Sequence, residues 1–383
     1  MSSDIVFVSG EASGDDLSSD VIIELREQDS SLNISAIGGP GLNKAGLESP
    51  IDISAIGVVG LIEGLKVYSK VIKLADDVTS YIISENPKAV VLVDSWGFTL
   101  RIAQRLKKQA PHIRLIKLIG PQVWASRAGR AKTLAATVDH LLCIHDFEVP
   151  FYTPYGLECT VLGNPAISRM DDGDGEAFRI RHGLDNQKTL LLVLPGSRSG
   201  EIKRVAPVFA ESASRIVDQF GDNIAVFVLV SGYVQSLMTE AGIQWPAGTQ
   251  ILTDTSEKAD LMSASTLALA CSGTVTTELA TQKCPMIVGY SLAPLTWLLA
   301  KYLLFKAKFI TLANVTMNKE IVPELIQDDF NSDKVYAEAL KLLKSQALRD
   351  EQKKNLEKAV HAMGWGQLPA HKVAAEKIKT LMT

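Results

Sequence analysis

Short apolar runs alternate with amphipathic helical patterns along the first half of the chain. Strands are predicted at Ile5–Val8, Ile34–Ile37, Ala89–Val93, Leu115–Leu118, His140–Ile144 and Thr160–Leu162. Helices are predicted between them at Leu17–Arg26, Val67–Ser84, Thr99–Gln109 and Arg130–Ala136. Strands and helices that alternate in this way predict a parallel sheet covered by helices on both faces.

The same alternation begins again after a polar segment. Asn164-Pro165 closes the first series, and the glycine- and aspartate-rich stretch 170–175 is predicted to be a linker. Further strands are expected at Leu190–Leu194, Ala225–Val230, Gln250–Leu252, Leu267–Ala270 and Met286–Val288, with helices such as Glu201–Phe220 between them. From Ile321 onward the pattern predicts helix alone. We therefore expect an α/β protein with two doubly wound domains, 1–168 and 169–363.

Composition narrows the class of protein. The chain has 383 residues, of which 46% are hydrophobic and 21% charged, with a net charge of −4. This balance suits two folded domains and argues against nucleic acid as the principal partner. We expect no signal peptide and no spanning helix, because the longest uncharged stretch, Cys284–Ala300, is short and broken by prolines. A protein that is soluble, or at most peripheral to a membrane, is expected.

Cysteine and histidine give no metal-site signal. The four cysteines lack zinc-ligand spacing and predict a reduced, intracellular protein, and the six histidines are scattered along the chain. We therefore predict no metal, and no cofactor is expected.

Two glycine-rich turns, one in each half, are the strongest chemical signal. Gly10–Asp15 follows the first strand, and Leu194–Glu201 follows the apolar run Thr189–Val193. A strand–turn–helix unit presents backbone N–H groups and the positive end of a helix dipole to an anion. Two such units predict two similar domains that face a common cleft, with ligands beyond the carboxyl ends of the strands.

The first turn does not match the dinucleotide fingerprint GxGxxG, so a nicotinamide cofactor is not expected. Glu11, Ser13 and Asp15 are instead candidates to bind the hydroxyls of a sugar or polyol. The alternative is that the glycines only make a tight turn.

Asp94 ends the apolar strand Ala89–Val93 and is the candidate general base. A carboxylate at that position opens onto the ligand side of the sheet while its base is packed among apolar neighbours. The alternative is that Asp94 caps the helix predicted at Thr99–Gln109.

The second half offers two phosphate-type loops. Arg198 beside Ser197 and Glu201 can give a bidentate fork to phosphate oxygens, unless it is merely paired with Glu201. Ser272–Glu278 forms the second strand–turn–helix unit, in which Gly273 and Thr274 would hold an anion and Glu278 the hydroxyls of a ribose. The alternative for Glu278 is a solvent-facing residue in the first turns of a helix.

The motifs together resemble the lipid A disaccharide synthase family. They are VSGEASGD at 8–15, GGPG at 38–41, GPQVWASR at 120–127, LPGSRSGEI at 194–202, SGTVTTELA at 272–280 and KCPMIVGY at 283–290, with the stretch around Asn314. The resemblance implies a GT-B fold, with two Rossmann-like domains facing a central cleft and a helical C-terminus. The C-terminal helix, about 364–383, is expected to pack back onto the first domain.

The same resemblance implies an inverting transfer without a metal. The family condenses UDP-2,3-diacylglucosamine with 2,3-diacylglucosamine 1-phosphate to give a β-1,6 disaccharide phosphate and UDP. It implies Asp94 as the catalytic base. It also implies UDP contacts from Ser197, Arg198, Glu201, Gly273, Thr274 and Glu278, with Asn314 near the nucleotide.

Three departures from the family pattern concern the fit of the substrates. The family often has Asp-x-Pro-Asp-Phe at the base, whereas this chain has Asp94-Ser95-Trp96-Gly97-Phe98 and lacks the second acid. Gly-His-Pro is replaced by Gly163-Asn164-Pro165, and a tryptophan by Ser126.

Two other functions stay open: a UDP-N-acetylglucosamine 2-epimerase and a non-catalytic module that binds a nucleotide sugar or lipid.

Acylated substrates would require docking on a membrane, expected at the cytoplasmic face of the inner membrane. Val58 and Ile62, in the glycine-broken apolar segment 56–62, are the favoured contacts. The aromatic- and lysine-containing segment Leu295–Phe309 is the other candidate, with a buried helix as its alternative. The resemblance leaves a homodimer open.

Overall fold

The computed structural model of the chain describes residues 3–54, 64–167, 170–293, 297 and 308–382. These residues form two compact units, of which unit 1 is 1–168 with 366–383 and unit 2 is 169–365. Val58 and Ile62 lie outside the described residues, as does most of the segment Leu295–Phe309. No described helix has both the length and the apolar character that a membrane span needs.

Within its described residues, unit 1 contains a six-stranded parallel sheet in the order β2-β1-β3-β4-β5-β6. The strands are β1 Ile5–Val8, β2 Ile34–Ile37, β3 Ala89–Val93, β4 Arg114–Leu118, β5 His140–Cys143 and β6 Cys159–Val161. Side chains alternate between the two faces: Ile5 and Phe7 pack into one hydrophobic cluster, and Val6 and Val8 into the other. Both faces of β1 are therefore buried, which explains its uninterrupted apolar sequence.

Helices cover both faces of this sheet. They are α1 Ala12–Gln28, α2 Gly64–Glu85, α3 Trp96–Gln109, α4 Gly129–Ala135, the short α5 Val149–Tyr152 and, from the end of the chain, the helix Ala370–Met382. This last helix contacts α1 and buries Ala370, Ala374, Ala375 and Ile378 in the same cluster as Ile5 and Phe7. Its small residues let it approach α1 closely, so the end of the chain completes the core of unit 1.

Unit 2 repeats the design, with a parallel sheet in the order β12-β11-β10-β7-β8-β9 among its described residues. Its strands are β7 Thr189–Leu194, β8 Ile224–Leu229, β9 Gln250–Leu252, β10 Leu267–Cys271, β11 Met286–Tyr290 and β12 Glu324–Ile326. Its helices are α6 Gly175–Arg181, α7 Ser199–Phe220, α8 Gly232–Glu240, α9 Lys258–Ala264, α10 Thr274–Thr281, α11 Leu312–Met317, α12 Ser332–Lys344 and α13 Gln346–Ala362. The C-terminal helix of unit 1, Ala370–Met382, is α14.

Strand β12 corrects the prediction that the chain is wholly helical from Ile321. Its three residues pair with Val288, Gly289 and Tyr290 of β11. A run of three residues carries no usable periodicity, so only its pairing with β11 defines it as a strand. The connection after it brings the Phe330 ring against Gly289, where a Cβ atom would overlap the ring.

The strand order places a topological switch in each sheet. In unit 1, β2 lies on one side of β1 and β3 lies on the other. The connection after β1 and the connection after β3 therefore run in opposite directions from the β1–β3 junction. In unit 2 the same reversal lies between β7 and β10. A crevice opens beyond the carboxyl ends of the strands at such a junction, which makes both junctions the expected places for ligands.

Candidate active-site loops

A cavity of about 400 Å³ opens at the β7–β10 switch of unit 2. The loops after β7, β8 and β10 form its walls, together with the first turns of α9 and α10. Its lining includes Gly196, Ser197, Arg198, Glu201, Val230, Ser231, Val234, Lys258, Ser272, Gly273, Thr274, Val275 and Glu278. Six of the predicted UDP contacts, all except Asn314, therefore lie around one cavity.

Glu201 lines the cavity and also makes hydrogen bonds within its own loop. Its buried carboxylate accepts hydrogen bonds from the backbone N–H groups of Ser197 (3.2 Å) and Arg198 (3.3 Å). It also accepts one from the Arg198 guanidinium at 2.9 Å, so the pairing given above as the alternative is present. The protein's own carboxylate thus occupies the anion position at the start of α7. Glu201 shapes the loop, while the Arg198 side chain, 81% exposed, stays available at the cavity.

The first turn of α10 is open by comparison. Gly273 occupies the capping position and offers no side chain, and the Thr276 hydroxyl instead donates to the Gly273 carbonyl at 2.8 Å. The first N–H groups of a helix lack intrahelical acceptors, so those of Thr274 and Val275 are available to a ligand in the cavity. The positive end of the helix dipole adds to this attraction for an anion.

Lys258 is a cavity residue that sequence reasoning missed. Its ammonium pairs with the Glu278 carboxylate, and both side chains line the cavity. Lys258 begins α9, just after the polar loop that follows β9. Its position beyond the end of a strand could have marked it as a candidate for ligand binding. The pair fixes one oxygen of Glu278, the residue predicted to hold ribose hydroxyls.

In unit 1, Asp94 lies at the β1–β3 switch with its side chain half-buried. Asp94 and Ser95 have φ angles of 42° and 40°, a left-handed conformation that turns the chain sharply from β3 into α3. The cap of α3 is Ser95, and the Asp94 carboxylate accepts no hydrogen bond from any residue the structure describes. The alternative of a helix-capping Asp94 is therefore wrong.

Two charged groups surround Asp94. Burial raises the pKa of the Glu11 carboxyl, and the nearby Asp94 carboxylate raises it further. Lys117, which sequence reasoning missed, lies inside β4 and is only 3% exposed. Burial lowers the pKa of its ammonium to about 7, against the opposing effect of Asp94 and Glu11. The signal was a lysine inside an otherwise apolar strand.

Asp15, a predicted sugar contact, makes hydrogen bonds within unit 1. Its buried carboxylate accepts hydrogen bonds from the Ser9 hydroxyl and from the Gly39 backbone N–H at 2.9 Å. A Cβ atom at Gly38 or Gly39 would lie 2.6 Å from an Asp15 oxygen, so this approach requires glycine at both positions. Asp15 therefore ties the β1 turn to the β2 loop, and it also lines a cavity together with Glu11. Ser13 lies exposed in the first turn of α1, as Glu11 does just before it.

Asn314 lies on α11, outside the lining of this cavity. Its side chain is 0% exposed, and its amide makes four hydrogen bonds. The oxygen accepts from the N–H groups of Ile321 (2.7 Å) and Val322 (2.9 Å). The nitrogen donates to the Val322 carbonyl and to Glu324, each at 2.8 Å. Asn314 therefore holds the segment that leads into β12.

Comparison with solved structures shows the fold of this chain. A putative UDP-N-acetylglucosamine 2-epimerase from Listeria monocytogenes has a TM-score of 0.61 at 13% identity, covering 98% of this chain and 94% of that chain. WaaG, a glycosyltransferase involved in lipopolysaccharide biosynthesis, has a TM-score of 0.52 at 14% identity, covering 99% of both chains. Such likenesses show the fold alone. Two parallel α/β units with loops grouped at their switch points have the architecture of a GT-B glycosyltransferase.

Sequence comparison gives the family. The model of lipid-A-disaccharide synthetase matches residues 5–378. Lipid-A-disaccharide synthases from Rhodospirillum centenum and Paramagnetospirillum magneticum are each 34% identical, covering 99% and 98% of this chain and 94% and 96% of their own lengths. The chain belongs to the lipid-A-disaccharide synthase family, as its motifs predicted, and the epimerase alternative is not favoured.

The assignment of Asn314 gives a testable prediction. Asn314→Ala should lower the free energy of unfolding by more than about 2 kcal/mol, because it leaves several buried backbone groups without partners. Denaturant unfolding measures this, with Asn355→Ala on the half-buried side of α13 as the control that should change by less than about 0.5 kcal/mol. UDP affinity of the folded variant should stay within about twofold. Unchanged stability with weakened UDP binding would support the predicted nucleotide contact.

Proposed function

We propose that this chain transfers 2,3-diacylglucosamine from its UDP derivative to 2,3-diacylglucosamine 1-phosphate, forming a β-1,6 linkage. The observation that carries the proposal is the family match over residues 5–378. It is supported by Asp94 at one topological switch and by Arg198 with the open end of α10 at the other.

The cavity of unit 2 suits the nucleotide of the donor. In our proposal the diphosphate lies at the N–H groups of Thr274 and Val275, and the Arg198 fork binds its oxygens. As the bond to the sugar breaks, negative charge grows on the departing phosphate, and a fixed cation and helix dipole stabilise that charge. Glu278, held by Lys258, then accepts hydrogen bonds from the ribose hydroxyls with its free oxygen.

Asp94 in unit 1 suits the role of general base. Its carboxylate is half-buried and has no hydrogen-bond donor among the described residues, so it is free to accept a proton. In the proposed step it takes the proton of the acceptor 6-hydroxyl while that oxygen attacks the anomeric carbon. The carbon–oxygen bond to UDP breaks with its electron pair on UDP. One displacement from the opposite face inverts the anomeric centre.

Arg198→Ala tests the donor site. The variant should weaken UDP binding by about 1.5–3 kcal/mol, the range for a hydrogen bond to a charged group. Arg215→Ala is the matched control, because Arg215 lies on α7, the helix that Arg198 caps, pairs with Asp333 and is not among the residues that line the cavity. Titration calorimetry with UDP compares the two. Equal affinities for both variants would remove Arg198 from the binding site.

Asp94→Asn tests the base. Asparagine keeps the size of the side chain and tolerates the left-handed backbone, but it cannot accept the proton. Turnover should fall at least about 10²-fold, with UDP affinity nearly unchanged. Asp77→Asn, an exposed position on α2, should have wild-type kinetics. Near-normal turnover of Asp94→Asn would contradict the assignment.

Docking on a membrane follows from the acylated substrates, and we propose segment 56–62 as its contact. Val58→Ser with Ile62→Ser should reduce co-sedimentation with anionic liposomes, because the apolar surface that enters the bilayer is lost. The melting temperature should remain nearly the same. A large fall in melting temperature would mean that these side chains belong to the core, and unaltered co-sedimentation would place the contact elsewhere.

A further inference from the structure

Lys117 is a buried cation that the proposed mechanism has not used. It occupies the fourth position of β4, where it pairs with Leu92 of β3 and Leu141 of β5. The other described positions facing the interior from this strand are apolar. A buried ammonium is costly unless it is paired and hydrogen-bonded, and an apolar residue at such a position is often more stable. The strand gives no packing reason for a lysine there.

The hydrogen bonds of Lys117 converge on the turn that carries Asp94. Its ammonium donates to the backbone carbonyl of Asp94 and to the Thr99 hydroxyl at 2.9 Å. The Thr99 hydroxyl lies 2.8 Å from the same Asp94 carbonyl and 3.0 Å from that of Ser95. Lys117 and Thr99 therefore form a clamp on the carbonyl of Asp94, at the start of the turn.

This turn needs such a clamp. Asp94 and Ser95 have successive positive φ angles, which non-glycine residues adopt only when their surroundings hold them there. Gly10 contributes from the neighbouring turn, since a Cβ atom there would lie 2.5 Å from the Ser95 hydroxyl oxygen. Without the contacts below it, the turn would relax toward ordinary angles and redirect the Asp94 carboxylate.

Charge supports the same role. The charged groups that act on the Lys117 ammonium are the carboxylates of Asp94 and Glu11, from the turns after β3 and β1. Thr99, the contact from α3, is neutral. The attraction of the two carboxylates draws the Lys117 ammonium toward the turn that carries Asp94, in the same direction as its hydrogen bond to the Asp94 carbonyl.

We infer that Lys117 is a positioning residue of Asp94, holding the strained β3–α3 turn through its hydrogen bond to the Asp94 carbonyl. This inference rests on the proposed role of Asp94 as base. Lys117 acts through Asp94 and does not touch the substrates.

Lys117→Met provides the test, because methionine fills similar space without a donor or a charge. Turnover with both acylated substrates should fall at least tenfold, while UDP affinity stays within twofold. The loss should lie in kcat, with the KM of each substrate within about twofold, because the base is displaced while the binding loops are unchanged. Wild-type kcat, or a raised KM with kcat unchanged, would overturn the inference.

The double variant Asp94→Asn with Lys117→Met separates this inference from the proposed function. If Lys117 acts through Asp94, the double variant should be no more than twofold slower than Asp94→Asn. Losses that multiply would overturn the inference. Near-normal turnover of Asp94→Asn alone would overturn the base assignment instead.

Thr99→Val keeps the inference testable if Lys117→Met does not fold. It removes the other half of the clamp and should lower turnover at least threefold. Thr79→Val is its matched control, a buried threonine on α2 whose hydroxyl likewise donates to a carbonyl four residues earlier, at 2.6 Å. The control should keep wild-type turnover. Equal turnover for the two threonine variants would count against the clamp.

Discussion

The reversal of strand order in each parallel sheet is the constraint on which the chemistry of this chain depends. Connections that leave β1 and β3, or β7 and β10, in opposite directions leave the carboxyl ends of these strands uncovered. The glycine turns, Asp94 and the open end of α10 all follow strands at these two junctions. The apolar strands beneath are buried on both faces, so polar groups are found where the strands end.

The polar side chains at these strand ends, together with Asn314 on α11, divide into two groups. Asp15, Glu201 and Asn314 are buried, and their hydrogen bonds to nearby backbone N–H groups fix the loops. Asp94 and Arg198 keep their functional atoms available to a ligand. The buried residues support the available ones, because a catalytic group must be held in place by side chains that are themselves fixed. Lys117 extends this principle beneath Asp94.

Much of this arrangement could be predicted from the sequence. Runs such as Ile5–Val8 and Ala89–Val93 predicted strands that the structure has with the same bounds, and the family prediction was also confirmed. The roles of individual acidic residues could be predicted less well from the sequence. A glycine turn with an acid predicts an anion or sugar site, but the sequence does not say whether the acid itself fills that site, as Glu201 does. Strand β12 and the Lys258–Glu278 pair depend on contacts between distant segments, and no local pattern encodes them.

Acceptor-dependent release of UDP from UDP-2,3-diacylglucosamine tests the central claim most directly. With 2,3-diacylglucosamine 1-phosphate present, the account predicts UDP in equal amount to a β-1,6-linked disaccharide phosphate. Without the acceptor, release should be slower by orders of magnitude. UDP released at the same rate without the acceptor, or a donor sugar epimerised with no disaccharide formed, would contradict the account.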